Sequence, residues 1–120
     1  MPKRVLIVDD SELQRMILLD ALSRFPCTVI GEAEDGEDAV RKSTQLSPDI
    51  ILLDMEMPGM TGLDALKVIK ANTSSVMVFM VTSIDSSAVI DDCLMAGAED
   101  YIRKDRLETL DERLGRFLRD

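Results

Sequence analysis

Polar residues stand directly after several short apolar runs of this sequence. Asp9 and Asp10 follow the first run, Asp54 follows a run near the middle of the chain, Thr82 follows the longest run, and Lys104 follows a short one near residue 102. Carboxylates, a hydroxyl and an ammonium are groups that can hold a divalent cation and a phosphoryl group. The chemistry expected of this set is metal-assisted phosphoryl transfer.

Three carboxylates in one crevice require a balancing cation. Carboxylates within about 4 to 6 Å of one another repel, which raises a pKa unless a positive charge lies between them. Ligation by a few protein oxygen atoms favours Mg²⁺, or Mn²⁺ in its place, because such a site keeps several waters and accepts a phosphate oxygen. Asp54 is the best candidate for the nucleophile, since it ends an apolar strand and precedes the turn residues Pro58, Gly59 and Gly62.

Each of these residues also has an ordinary structural interpretation. Asp10 or Ser11 can be a helix N-cap, Thr82 can be a turn residue, and Lys104 can be a solvated surface charge. Taken one by one, the residues are weak evidence for a site. Their shared position after successive strands is what favours a function.

The apolar pattern predicts five strands that alternate with five helices. We expect strands at residues 5–8, 28–34, 50–53, 76–81 and 101–102. We expect helices at residues 11–25, 37–46, from a cap at Thr61 onward, 86–96 and 107–118. Such alternation is typical of a parallel sheet with helices on both faces, and ligands bind such a sheet beyond the carboxyl ends of its strands.

Length and composition predict one domain over residues 1–120, because 120 residues with 46% hydrophobic content suffice for a single core. The apolar runs are too short to span a bilayer, so we expect a cytoplasmic protein that does not insert into membranes. The net charge of −9 argues against direct binding to nucleic acid.

Residue types also limit the available chemistry. The sequence has no histidine, which excludes Ser-His-Asp and Cys-His catalysis as well as histidine-ligated zinc. Cys27 and Cys93 lie far apart in apolar or helical contexts, so we interpret both as reduced packing residues.

Five segments of the sequence, in order, resemble the receiver domain of two-component response regulators: VLIVDDS, EAEDGEDAV, PDIILLDMEMPGMTGLDAL, VFMVTS and GAEDYIRK. The resemblance covers nearly the whole chain. It implies a flavodoxin-like (βα)5 three-layer sandwich of the α/β class, with parallel strand order 2-1-3-4-5. The function it implies is a phosphorylation-activated signalling switch, not an enzyme.

By the same resemblance, Asp54 is the phosphoacceptor. Asp10, Asp54 and the backbone carbonyl of Glu56 are direct Mg²⁺ ligands, and Asp9 acts through water. Lys104 binds the phosphate.

Thr82 resembles the switch hydroxyl and Tyr101 the switch aromatic of these proteins. Phosphorylation draws the hydroxyl towards the phosphoryl group, and the aromatic ring turns inward, which reshapes the face formed by the fourth helix, fifth strand and fifth helix. The implied partners are a sensor histidine kinase and a downstream protein, such as a flagellar or chemotaxis component.

Two residues depart from the usual receiver pattern. Asp105 follows Lys104, where receivers usually have a cis-proline, and a non-proline cis bond costs about 3 to 4 kcal/mol. We therefore predict a trans 104–105 bond and a rearranged loop. Glu56 belongs to a D-x-E-M-P string that resembles the receivers of chemotaxis methylesterases, and our hypothesis is that its carboxylate tunes metal affinity and dephosphorylation.

Two other functions remain as alternatives. A small phosphatase with an aspartate nucleophile is one, because Asp54-Met55-Glu56 superficially resembles the D-x-D start of that group. A degenerate receiver that only binds a partner is the other, and Asp105 is the residue that keeps it open.

Overall fold

In the computed structural model, which describes residues 2–119, five strands form one parallel sheet. The strands are β1 (Lys3–Val8), β2 (Cys27–Ala33), β3 (Ile50–Asp54), β4 (Met77–Thr82) and β5 (Asp100–Arg103). Their order is β2-β1-β3-β4-β5, and every neighbouring pair is parallel. The predicted strand order is confirmed, and β1, β3 and β4 coincide closely with the apolar runs.

Four α-helices follow the first four strands. They are α1 (Glu12–Leu22), α2 (Gly36–Leu46), α3 (Gly62–Asn72) and α4 (Ser87–Met95). The predicted caps at Ser11 and Thr61 are confirmed, because each side chain accepts a hydrogen bond from the backbone N–H three residues on, at 3.2 Å. The first helix ends at Leu22 and not at residue 25, since Pro26 keeps the residue before it out of the helical region.

The C-terminal helical segment (residues 107–118) is not the uniform α-helix that the sequence predicts. It consists of a 3₁₀ turn at Leu107–Thr109, a π-helical turn at Asp111–Gly115 and a short α-helical turn at Arg116–Leu118. Leu110, Leu114 and Leu118, spaced four apart, are fully buried. These leucines share one face of the segment although its turns differ in type.

The sheet is covered on both faces, which explains the continuous apolar runs. Alternate residues of the central strands point to opposite sides. One set packs against α2, α3 and α4, and includes Leu6, Val8, Ile51, Leu53, Val78 and Met80. The other set packs against α1 and the C-terminal helical segment, and includes Val5, Ile7, Ile50, Leu52, Phe79 and Val81. The result is the three-layer architecture that the resemblance implies.

The cysteines and the lengths of the helices within residues 2–119 bear on two further expectations. Cys93 is buried and Cys27 half-buried, and both are free thiols, as expected of packing residues. None of the helices described is long and apolar enough to cross a membrane.

Candidate functional site

The acidic residues predicted to converge do lie together at the carboxyl edge of the sheet. β1 and β3 are adjacent and in register at Val8 and Leu53, so the residues that follow, Asp9 and Asp54, are neighbours. Carboxylate oxygens of Asp9, Asp10 and Asp54 all lie within 4.8 Å of one another. Asp9 and Asp54 are buried and Asp10 is exposed, so the cluster opens to solvent on one side.

Asp54 has one satisfied and one unsatisfied carboxylate oxygen. Oδ1 accepts a hydrogen bond from the backbone N–H of Glu56 at 3.2 Å and lies 3.2 Å from Nζ of Lys104. Oδ2 is buried and has no hydrogen-bond partner among the residues described. The pKa of Asp54 is raised to about 6: burial raises it most, the charge of Asp9 raises it as well, and Lys104 partly opposes both effects.

Both carboxylate oxygens and the carbonyl oxygen of Asp9 have partners. Its Oδ1 accepts a hydrogen bond from the backbone N–H of Ser11 at 2.9 Å, and its Oδ2 forms an ion pair with Nζ of Lys104 at 2.8 Å. Its carbonyl accepts a hydrogen bond from Arg15 at 2.6 Å, and Arg15 also pairs with Glu32 at 2.9 Å. The sequence reasoning missed Arg15. A basic residue one helical turn after the cap at Ser11 was the available signal.

Lys104 joins the two buried carboxylates. Burial lowers the pKa of its ammonium, but the hydrogen bond and charge of Asp9 and the charge of Asp54 outweigh this, and the pKa is raised above its ordinary value. The backbone N–H of Lys104 donates to the carbonyl of Thr82 at 2.9 Å. The loop that carries the lysine is therefore attached to the end of β4.

The loop at Asp105 contains no cis bond, and the predicted trans 104–105 bond is confirmed; cis peptides are absent throughout residues 2–119. The Asp105 carboxylate forms two contacts of 3.0 Å with the guanidinium of Arg103. Arg103 also pairs with Asp85 at 3.0 Å, on the loop that follows β4. An ion-pair network thus links the two loops where a proline is usual.

The expected switch residues lie on the neighbouring strands β4 and β5. Thr82 is buried, and its Oγ1 accepts a hydrogen bond from the backbone N–H of Ile84 at 2.9 Å. Tyr101 is half-buried on β5 and packs against the core on the α4 side. At the mouth of the site, the hydroxyl of Ser83 donates to Oε1 of Glu56 at 3.0 Å.

Gly62 allows the loop after Asp54 to fold tightly. A Cβ atom at this position would lie 2.2 Å from the carbonyl oxygen of Asp54 and 2.7 Å from Cα of Met55. The backbone N–H of Gly62 instead donates to the carbonyl of Met55 at 3.0 Å. The first turn of α3 is thereby packed directly against the end of β3.

The donor set fits a hard divalent cation. The three clustered side chains offer carboxylate oxygens only, which suits Mg²⁺ better than softer metals. The buried, unsatisfied Oδ2 of Asp54 and the raised pKa of Asp54 both indicate a need for positive charge beyond that of Lys104. Asp9, Asp10 and Asp54 could hold such an ion.

A doubly wound α/β fold with this acidic pocket at its carboxyl edge defines a class of phosphorylation-activated switches. The family model described as the response regulator receiver domain matches residues 5–114. The chain belongs to the response regulator receiver family. Proteins of this family are regulators that receive a phosphoryl group on an aspartate.

The chain is similar to two kinds of chemotaxis protein. It is 39% identical over 104 residues to chemotaxis protein CheY of Thermotoga maritima, covering 87% of each chain. It is 44% identical over 104 residues to a protein-glutamate methylesterase/protein-glutamine glutaminase of the same organism, covering 84% of this chain but only 30% of that protein.

Solved structures of both kinds of chemotaxis protein share the fold of this chain. The response regulator domain of Thermotoga maritima CheB superposes with a TM-score of 0.87 at 35% identity, covering 98% of this chain and 94% of that one. The CheX-CheY-BeF3-Mg²⁺ complex from Borrelia burgdorferi gives a TM-score of 0.90 at 32% identity, covering 99% and 92% of the two chains.

Proposed function

We propose that this chain accepts a phosphoryl group on Asp54 from a sensor histidine kinase, or from a small acyl phosphate. The observation that carries the proposal is the buried Oδ2 of Asp54, which has no hydrogen-bond partner within residues 2–119 and lies in a cluster of three carboxylates. A nucleophile needs such a free oxygen. The neighbouring charges would then bind the cation and the incoming phosphoryl group.

The transfer assigns a role to each group. A carboxylate oxygen of Asp54 attacks phosphorus in line, the new O–P bond forms, and the bond from phosphorus to the donor nitrogen or oxygen breaks. A bound Mg²⁺ would supply positive charge to neutralise the phosphoryl oxygens. Asp10, Asp54 and the carbonyl of Glu56 would hold it directly and Asp9 through water.

Lys104 would change partners during the reaction. Its ammonium contacts Asp9 and Asp54 in the unphosphorylated protein, at 2.8 and 3.2 Å. A phosphoryl group on Asp54 brings new anionic oxygens within its reach, and it carries a charge of about −1.5 to −2, more than either carboxylate that the lysine contacts now.

Switching would follow from the same charge. The phosphoryl group adds strong hydrogen-bond acceptors next to the end of β4, and the Thr82 hydroxyl, whose oxygen accepts from the N–H of Ile84, has a proton to donate to them. Tyr101 would turn inward as Thr82 moves. The face made of α4, β5 and the C-terminal helical segment would then present a different surface to a target protein.

The signal would pass through protein contacts and not through an enzymatic activity of this chain. We propose that residues 1–120 act as a single receiver whose only chemistry is its own phosphorylation and dephosphorylation. Its relatives include chemotaxis proteins, so a chemotaxis or flagellar component is the proposed target.

The direct test is incubation with Mg²⁺ and acetyl phosphate, followed by mass spectrometry of the intact chain. We expect one added phosphoryl group in the native protein and none in Asp54→Asn. Phosphate on another residue, or none under conditions that label a known receiver, would refute the proposal.

A second assay separates the switch from an aspartate-nucleophile phosphatase. Sustained release of phosphate from simple phosphate monoesters, with many turnovers per chain, would support the phosphatase. A switch is expected to show no such turnover.

A further inference from the structure

The ring of Tyr101 is covered on its outer side by a guanidinium. Cζ of Arg113 lies 4.6 Å from the ring centroid, which is within range of a cation–π interaction. Nη1 of Arg113 donates to Oδ1 of Asp100 at 2.8 Å, and the same oxygen accepts from the backbone N–H of Tyr101 at 2.8 Å. The arginine is therefore anchored by the residue adjacent to the ring that it covers.

The π-helical turn at Asp111–Gly115 gives Arg113 its position. Leu110 and Leu114 are buried on either side of it in the sequence, so the turn is fixed to the core. Arg113 itself is half-buried, with a side-chain exposure of 32%, and pairs with Asp100 of β5. Single π turns of this kind are frequent at functional sites.

Other arginines near the ring are engaged elsewhere. Arg103 and Arg106 line the same surface pocket of about 270 Å³ as Tyr101 and Arg113. Arg103 pairs with Asp85 and Asp105 at 3.0 Å, and Arg106 pairs with Glu108 at 2.6 Å. Within residues 2–119, Arg113 is the only cationic residue that lies over the Tyr101 ring.

We infer that Arg113 is a positioning residue that holds the Tyr101 ring in its half-buried position in the unphosphorylated protein. The inference rests on the proposed function, in which Tyr101 is the switch aromatic. An inward turn of the ring ends its contact with the guanidinium, so the contact favours the unphosphorylated conformation. Exposed cation–π contacts are weak, and the expected bias is about two- to fivefold in the conformational equilibrium.

The first measurement uses the unphosphorylated protein. Tyr101 is the single tyrosine and the sequence has no tryptophan, so tyrosine fluorescence reports this ring alone. We expect Arg113→Ala to increase quenching by acrylamide, Arg113→Lys to have a smaller effect, and Arg106→Ala to have none. Unchanged quenching in Arg113→Ala would show that the guanidinium does not cover the ring.

The second measurement tests coupling to the switch, which simple packing would not produce. Beryllofluoride with Mg²⁺ mimics a phosphoryl group, and its apparent affinity includes the cost of turning the ring. We expect Arg113→Ala to bind it about two- to fivefold more tightly than the native chain. Asp100→Asn should change the affinity in the same direction, and Arg106→Ala should match the native protein.

The outcomes separate the two proposals. If the native chain responds to beryllofluoride and Arg113→Ala binds it equally or more weakly, the role of Arg113 is refuted and the proposed function stands. If the native chain and Asp54→Asn both fail to respond, the proposed function fails, and the role in switching fails with it. A urea unfolding curve for each variant identifies any affinity change that comes from partial unfolding.

Discussion

Nζ of Lys104 lies 3.2 Å from Oδ1 of Asp54, although Lys104 follows β5 and Asp54 ends β3, and these strands are not neighbours in the sheet. The side chain of Lys104 is 17% exposed and that of Asp54 is 2% exposed, so water screens the pair only weakly. The lysine therefore supplies positive charge that balances the carboxylates of the acidic pocket, as a bound metal ion would also do.

Replacing Lys104 by Met is expected to destabilise the metal-free protein and strengthen Mg²⁺ binding. The hydrocarbon stem remains, but two buried carboxylates lose their counter-ion. We expect the free energy of unfolding to fall by about 1 to 3 kcal/mol, a loss that is limited because Asp54 can take up a proton. Urea unfolding measures the first effect and Mg²⁺ titration the second. Lys67→Met, at an exposed position on α3, is the matched control. Weaker Mg²⁺ binding would contradict the counter-ion role.

The stability of the metal-free protein should depend on the charge of Asp54. Its pKa is raised from 3.8 to about 6 in the folded state, so the native protein holds the proton more tightly than the unfolded chain does. The resulting loss of folding stability is absent below about pH 4, grows between about pH 4 and pH 6, and is complete above pH 6.

Asp54→Asn should remove this penalty. We expect the variant to exceed the native protein in stability at pH 7.5 by about 1 to 2 kcal/mol, after allowance for solvent screening. At pH 4 the difference should be small. Urea unfolding of both proteins without Mg²⁺, from pH 4 to pH 8, gives the comparison, and a difference independent of pH would count against a charged, buried Asp54.

Glu56→Gln should lengthen the lifetime of the acyl phosphate by about two- to fivefold. The Glu56 carboxylate lies at the mouth of the site, where its charge can assist the entry of Mg²⁺ and orient the attacking water. A surface charge of this kind contributes about 0.5 to 1 kcal/mol. The lifetime can be followed by loss of phosphoryl mass after removal of the donor.

Ser83→Ala is the matched control for that variant, since it removes the hydrogen bond to Oε1 and leaves the charge. If the two substitutions have equal effects, the hydrogen bond is responsible. If neither alters the lifetime, the hypothesis about Glu56 is wrong.

Gly62→Ala should be much more damaging than Gly59→Ala. The new methyl group at 62 would lie 2.2 Å from a backbone oxygen of Asp54, whereas a Cβ at 59 meets nothing within 4 Å. Gly59 has a φ of 78°, so alanine there costs about 1 to 2 kcal/mol of backbone strain. We expect a loss of about 3 kcal/mol or more for Gly62→Ala, with weakened Mg²⁺ binding. Comparable losses in urea unfolding would argue against the close approach.

Local patterns in the sequence predicted most of the sheet and its caps. The apolar runs before Asp9, Asp54 and Thr82 predicted three central strands because those strands are buried on both faces, which leaves no alternation to interpret. Ser11 and Thr61 were identified as caps because capping depends on residues only three positions apart. The strand order came from family resemblance and is confirmed by the structure.

Features that depend on distant residues were not predictable in this way. The π-helical turn at Asp111–Gly115 was not predictable because the four-residue spacing of the buried leucines also fits an ordinary helix. Arg15 was missed because its partners, the Asp9 carbonyl and Glu32, come together only when β2 pairs with β1. The contact of Arg113 with Tyr101 likewise requires the C-terminal helical segment to pack beside β5.

The hydrogen bond from the N–H of Lys104 to the carbonyl of Thr82 is a main-chain link, so side-chain substitution leaves it in place. This bond directly links Lys104, which is expected to bind the phosphate, to Thr82, which is expected to respond to it. In the sequence, 21 positions lie between the two residues. Movement at the end of β4 therefore affects the loop after β5, and the reverse. Both segments take part in a structural change at the acidic pocket.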